Sequence, residues 1–225
     1  TEALIRIHRF FDPATAEDLP RYEPAVFVEQ VMLFADTYLP HALGRAATPD
    51  ERASLEAAWR KVVRPACESV PASLLHRDWH VDNLMRLPGR EGHAACGILD
   101  FQQAGLGPVS YDLVSILEDA RHDVPDAIRT AEIEHYLAAF PGLDRDRFLG
   151  SCAVLGAVRH TRILAVFARL RLRDGRTGYV RHMPRVWRLL EGRLAHEDLA
   201  PVRAWFDRML PPEARAPLFV SKTES

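Results

Sequence analysis

The sequence predicts a mostly α-helical chain with one small β-hairpin, an α+β arrangement in which helices supply the bulk and the hairpin supplies the chemistry. Three observations predict it. Apolar residues recur at helical spacing through most of the 225 residues. Only the region from Ser73 to Leu99 reads as short apolar strands, joined by a Pro/Gly turn. Hydrophobic residues make up 48% of the chain, enough for a sizeable core in one domain, or one domain with appendages.

In chain order, helical periodicity is expected over 23–43 and 49–69. Thr48-Pro49-Asp50-Glu51 has the form of a helix start: a Thr cap, Pro in the first turn, then acids. Ser73-Leu74-Leu75 is a short strand whose following turn exposes Asp78. Leu84-Met85-Arg86-Leu87 is a second strand, residues 88–92 reverse the chain, and residues 94–99 return. Gly107 to Leu113 reads as a loop entering a helix over 111–120. Further helices are expected over 126–140, 144–172, 184–194 and 199–210, with Pro141-Gly142 and Asp174-Gly175 as breaks. The tail over 211–225 is expected to be loosely held.

The chemistry concentrates in one run. His76-Arg77-Asp78 followed by Asn83 matches H-R-D-x-x-x-x-N, and Ile98-Leu99-Asp100-Phe101 adds a second carboxylate at the end of a strand. Phosphoryl transfer from a magnesium nucleotide needs an acceptor hydroxyl oriented and phosphate charge neutralised, and little else. A carboxylate at Asp78 suits the first task. The amide oxygen of Asn83 and the carboxylate of Asp100, both hard ligands, suit the second with Mg2+ and ATP as cofactors. A hairpin between residues 84 and 99 is expected to bring these two distant ligands to one spot.

The stretch from Leu74 to Ala120, including Gly107-Pro108-Val109-Ser110-Tyr111-Asp112-Leu113, resembles the aminoglycoside phosphotransferase and choline kinase superfamily, small-molecule relatives of protein kinases. The resemblance implies the C-terminal lobe of a protein-kinase-like fold over 1–210, with the catalytic loop at 74–87, the metal motif at 94–102 and a helical subdomain at 111–210. It makes Asp112 a buried carboxylate bracing the catalytic loop, and an acid in a helix's first turn is independently favoured by free backbone donors. Leu155 to His160, Ala165 to Leu170, Arg173 to Arg176 and Tyr179 to Arg185 are similar to one subgroup, the anomeric kinases of bacterial cell-wall recycling. These phosphorylate the C1 hydroxyl of N-acetylmuramate and N-acetylglucosamine. Kinases of this fold that act on aminoglycosides, choline or homoserine are the alternative, as is a non-catalytic binding module.

The sequence departs from that pattern in one respect. A kinase grips its nucleotide with a glycine-rich loop and a strand lysine. Before Asp78 there is one glycine, Gly44, and one lysine, Lys61, in a charged helical stretch. The expectation is a lobe whose nucleotide-binding N-terminal partner lies outside this chain, inactive alone. A net charge of −2 and arginines spread along helices argue against a nucleic-acid partner. No continuous run of about 18 apolar residues suggests a membrane span. Cys67, Cys96 and Cys152 are scattered, without CxxC spacing, which suggests a reducing, cytoplasmic compartment.

Other polar residues stay open at this level. His80 orients the loop, touches substrate or is simply a packed histidine. Asp82 binds a sugar hydroxyl or faces water. His76 is better suited to a backbone hydrogen bond near Asp100 than to proton transfer, and Arg77 to a buried acid, Asp112 included. Trp79 is a stacking wall for a sugar ring or part of the core. Arg159 and Arg162, three apart on one helical face, either hold a substrate carboxylate or form a solvated charged face. Glu118, Asp119 and Arg121 are similar candidates.

Overall fold

A computed structural model describes residues 1–215, so most of the expected tail, residues 216–225, lies outside the described residues. The described residues divide into two compact units, one formed by 1–23 and 66–155 and the other by 24–65 and the residues from 156 onward. The helices are α1 (Glu2–Phe10), α2 (Pro24–Leu43), α3 (Pro49–Glu68), α4 (Ser110–Leu117), α5 (Asp126–Ala139), α6 (Arg145–Leu172), α7 (Met183–Leu194) and α8 (Ala200–Met209). The strands are β1 (Ala72–Leu75), β2 (Leu84–Arg86), β3 (Cys96–Ile98) and β4 (Gly105–Pro108).

The start of α3 is set by local chemistry. At α3, the Glu51 backbone N–H donates to Thr48 Oγ1 (3.2 Å) and the Thr48 N–H donates to a Glu51 carboxylate oxygen (2.8 Å), a reciprocal capping box. The Arg45 guanidinium grips the same carboxylate at 2.6 and 2.8 Å and, with the Thr48 N–H, holds the Glu51 pKa down at about 2.

The strands form two separate antiparallel pairs, not one hairpin. β2 pairs with β3 in the register Leu84↔Ile98, Met85↔Gly97, Arg86↔Cys96, as the turn at 88–92 anticipates. The second pair corrects the sequence reading. Gly107-Pro108, expected as loop, belongs to β4, which pairs with β1 from Ala72↔Pro108 to Leu75↔Gly105. Glycine and proline carry little strand signal. Their reason is tertiary: a Cβ on Gly105 would lie 2.3 Å from the Pro20 carbonyl oxygen, and one on Gly107 would lie 2.6 Å from Leu75 Cδ1. The Pro20–Tyr22 segment lies against β4, with the Leu106 N–H on the Pro20 carbonyl (2.8 Å) and the Tyr22 N–H on the Leu106 carbonyl (2.6 Å).

This topology positions the site. Leu75 and Gly105 are paired, so the chain leaving β1 and the chain entering β4 pass the same end of one sheet. Everything between them, including the β2–β3 hairpin, is inserted at that end. Beneath lies the first unit's core: Leu4, Ile5, Trp79, Leu113, Val114, Leu117, Tyr136 and Phe148 all pack in one buried cluster. Tyr136 stacks on Phe148 with centroids 5.3 Å apart. Each fully buried aliphatic or aromatic side chain of this kind contributes about 1.5–3 kcal/mol. His8 ties three elements of the unit together. The Leu74 carbonyl can only accept, so His8 Nε2 carries the proton (3.2 Å) and Nδ1 accepts from the Tyr136 hydroxyl (2.7 Å).

The second unit has its own aromatic core. Phe34 stacks on Tyr38 at 4.8 Å, and Trp187 and Phe206 meet Phe34 edge-on. Trp187 Nε1 donates to the Tyr38 hydroxyl (2.8 Å), and Trp205 Nε1 donates to Ser54 Oγ (3.0 Å). Residues 211–215 of the expected loose tail include a short turn over Pro212–Ala214, after which the buried Arg215 donates to the Leu210 carbonyl and pairs with Asp207 at 2.5 Å. One helix, α6, passes a length-and-composition test for a membrane span despite Arg159 and Arg162, but 83% of its most apolar window is buried inside the protein. It reads as a core helix.

Gly105→Ala is expected to destabilise the protein by at least about 2 kcal/mol, because the added methyl meets backbone that cannot rotate away. A shift of the denaturant midpoint measures this, and a melting curve like wild type's would contradict the close approach. Burial holds the His8 pKa down at about 4, against the backbone hydrogen bond to Leu74, which raises it. Below the ordinary value of 6.5 the unfolded chain takes up a proton that the folded state refuses. The stability due to His8 is therefore full above pH 6.5 and lost as pH falls towards 4, on the order of 3 kcal/mol. Thermal melts between pH 7.5 and 4 should fall more steeply for wild type than for His8→Gln.

Candidate active site

The loop between β1 and β2 turns sharply at Arg77, which has φ of +75°, a left-handed conformation costly for a side chain of its size. The compensation comes from α4. Asp112, with no exposed surface, accepts the backbone N–H of His76 at 2.5 Å and of Arg77 at 3.0 Å. Two charge-assisted bonds from one buried carboxylate clamp the strained residue and fix the direction of the next one, Asp78. The Arg77 guanidinium lies over the Tyr22 ring, 4.1 Å from its centroid, a cation–π stack where the sequence suggested an acidic partner.

Beyond Asp78 the loop folds onto that residue's carbonyl. The His80 N–H donates to the Asp78 carbonyl oxygen (3.0 Å), and so does Asn83 Nδ2 (2.9 Å). Asn83 is buried in the short turn Val81–Asn83. With its nitrogen committed to Asp78, its Oδ1 is the atom left for a metal. The Leu99 N–H donates to the Asn83 carbonyl (2.9 Å), so the hairpin pairing runs one step past β2 and β3 and sets Asp100 beside Asn83. Asp100 is exposed, with φ of +57°, the second non-glycine residue in the left-handed region. His76 closes the loop from below. Its Nε2 donates to the Leu99 carbonyl at 2.7 Å, and its ring meets Trp79 edge-on at 5.6 Å.

Hydrogen bonds therefore link Asp78 to Asn83, and Asn83 to Leu99, the residue before Asp100. Among the described residues neither Asp78 nor Asp100 is held in an ion pair, and no group of three acidic, histidine or cysteine side chains makes a ready metal cage. An amide oxygen and one carboxylate, with remaining positions open to phosphate oxygens and water, is a donor set that fits Mg2+.

The other candidates fall out differently. Trp79 is 1% exposed and packs in the core, so it offers no wall to solvent. It contributes to an apolar cavity of about 390 Å³ bounded also by Leu4, Ile7, His76, Ile98 and Phe101, a lining that includes none of Asp78, Asn83 and Asp100. Asp82 is exposed, 3.9 Å from His80 Nδ1 and 3.5 Å from Arg121 Nη1. Arg159 and Arg162 belong to the second unit. Arg159 is buried and Arg162 half-buried, so the solvated face suggested for the pair does not describe Arg159. Two supports escaped sequence reasoning. Tyr22 and His8 act over 55 and 66 residues of chain, and nothing in their own neighbourhoods signals it.

Comparison with known proteins adds an independent line. A family model described as APH, phosphotransferase enzyme family, matches residues 1–149. The chain is similar to N-acetylmuramate/N-acetylglucosamine kinase of Caulobacter vibrioides, 44% identical over 163 residues, which are 72% of this chain and 45% of that protein. Proteins of the same name from Pseudomonas aeruginosa and Neisseria meningitidis are 33% and 32% identical, over 79% and 83% of this chain and 52% and 56% of their own lengths. The chain spans about half the length of the curated relatives it matches.

Asp112→Asn removes the charge from both loop clamps. It should cost about 2–4 kcal/mol of stability, read as a lowered midpoint in urea. A midpoint within error of wild type would mean that the clamp does not hold the loop.

Proposed function

Because the chain belongs to the phosphotransferase enzyme family, we propose that it supplies the catalytic loop of an ATP-dependent kinase acting on the anomeric hydroxyl of N-acetylmuramate and N-acetylglucosamine. The observation that supports this most directly is the pair of bonds from Asn83 Nδ2 to the Asp78 carbonyl and from the Leu99 N–H to the Asn83 carbonyl, which tie base, amide and second carboxylate together. The acceptor assignment leans on relatives whose names carry these two sugars.

In this reading Asp78 accepts the proton of the C1 hydroxyl and aligns its oxygen with the γ-phosphate. A strong base is unnecessary, since proton loss is late in a loose transition state and positioning dominates. An anomeric hydroxyl is also somewhat more acidic than an ordinary alcohol. Asn83 Oδ1 and Asp100 would hold Mg2+, which would neutralise charge on the nucleotide phosphates. His76 and Asp112 keep the loop in register without touching the reactants. The exposed apolar side chains of Met85, Leu99 and Phe101 on and beside the hairpin suit a nucleotide base and a further lobe that supplies the phosphate loop and lysine. Three scattered free cysteines suit a reducing, cytoplasmic setting.

The test is an assay of the whole protein carrying this chain, with Mg-ATP and a panel of both amino sugars, an aminoglycoside, choline and homoserine. ATP-dependent loss of the sugar's reducing end is expected, because phosphorylation at C1 blocks ring opening. Asp78→Asn and Asp100→Ala should each lower kcat by about 10²–10⁴-fold with melting behaviour near wild type. Turnover confined to another acceptor would overturn the substrate, and near-normal rates in both variants would overturn the residue roles.

A further inference from the structure

The proposed reaction divides its work between two loops. Asp78 follows the left-handed Arg77 in the loop after β1, and Asp100, left-handed itself, lies in the loop after β3. We propose that Tyr22 is a positioning residue that ties these loops to each other, through its ring on the first and its hydroxyl on the second. The inference rests on the kinase reading above.

Tyr22 is fixed before it touches either loop. Its N–H donates to the Leu106 carbonyl (2.6 Å) and the Leu106 N–H donates to the Pro20 carbonyl (2.8 Å), so residues 20–22 run beside β4 as a short parallel bridge. The sequence of β4 leaves room for the ring. A Cβ on Gly105 would lie 2.7 Å from Tyr22 Cε2, and one on Gly107 would lie 3.1 Å from Tyr22 Cβ. Both glycines therefore serve as a seat for this half-buried tyrosine.

From that seat the ring serves the base loop. The Arg77 guanidinium stands 4.1 Å from the ring centroid. Arg77 is 9% exposed, and its Nε is buried with no hydrogen-bond partner among the described residues, so the aromatic face is what compensates the desolvated cation. With its backbone on Asp112 and its side chain on Tyr22, Arg77 is held at both ends, and Asp78 follows directly. The hydroxyl serves the metal loop. It donates to the Gln103 carbonyl at 2.7 Å. Gln103 lies in the turn from Phe101 to Ala104, closed by the Ala104 N–H on the Phe101 carbonyl (2.9 Å), and that turn starts one residue after Asp100. Asp100 is thereby bracketed, by the bonds of Leu99 before it and by the Tyr22 hydroxyl after it. A phenylalanine at position 22 would serve the first loop only, and an aliphatic residue neither.

The experiment uses the whole protein carrying this chain, as wild type, Tyr22→Phe, Tyr22→Leu, Arg77→Met and the double variant Tyr22→Leu/Arg77→Met, each with a melting curve. Amide hydrogen exchange reads the two loops separately. Tyr22→Phe should speed exchange over residues 101–104 by about threefold or more and leave residues 76–80 as in wild type, whereas Tyr22→Leu should speed both. Titration of Mn2+ in the presence of a non-hydrolysable ATP analogue, followed by electron paramagnetic resonance, should weaken about three- to tenfold in Tyr22→Phe, with the KM for sugar unchanged. Tyr22→Leu should in addition lower kcat at saturating Mg2+ by about tenfold. The double variant should lose no more kcat than the worse single variant, since one stack is lost once. Wild-type exchange and metal affinity in Tyr22→Phe, multiplied losses in the double variant, or lowered melting temperatures with kinetics unchanged would overturn the assignment while leaving the kinase reading intact. Wild-type protein inactive with every acceptor would overturn both.

Discussion

The site depends on one buried interaction, the carboxylate of Asp112 accepting the N–H groups of His76 and Arg77. Without it, a left-handed arginine at the tip of a strand would relax, and Asp78 would move with it. The clamp works because its two ends come from rigid pieces. Asp112 sits in the first turn of α4, fully buried and followed by the core residues Leu113 and Val114, and the loop it holds leaves β1 at its paired end. The same carboxylate that stabilises the loop also disfavours its alternatives, since breaking these two bonds strips partners from a buried charge. A local strain of order 1–3 kcal/mol is thus held by an interaction worth at least as much.

The second strained residue, Asp100, has a different support. Its neighbour Leu99 donates to Asn83 through its N–H and accepts from His76 through its carbonyl. His76 is therefore fixed at both ends, its backbone on Asp112 and its imidazole on Leu99. A path of hydrogen bonds runs from the α4 carboxylate to the Leu99 carbonyl through one histidine. That path gives His76 a structural role between the loop and the hairpin. Its length and two opposed polar ends let it span the gap between the loop and the hairpin.

Much of this was legible in the sequence, and the legible parts share a property. Helix starts are written locally: Thr48 and Glu51 cap each other across three residues, and the hairpin turn at Gly89 and Gly92 uses two residues with positive φ. The motif from His76 to Asn83 is also short-range, because one turn folds its members onto the Asp78 carbonyl. What stayed hidden is long-range. β4 has the composition of a loop because Pro20 and Leu75 approach it too closely for side chains. Tyr22 and His8 look like unremarkable surface residues until the chain returns to them. Trp79 kept two readings in the sequence because an aromatic in a loop packs in or faces out, and only the core around Leu113 and Phe148 decides.

The same distinction separates the arginines. Arg77, Arg121 and Arg159 are indistinguishable by type, and spacing alone favoured the pair on α6. Burial and partners divide them: Arg77 lies on an aromatic ring, Arg159 is inside its unit, and Arg121 stands half-exposed against a loop carboxylate. A guanidinium stacked and buried is committed to the fold, because removing it would leave a hole and a bare ring.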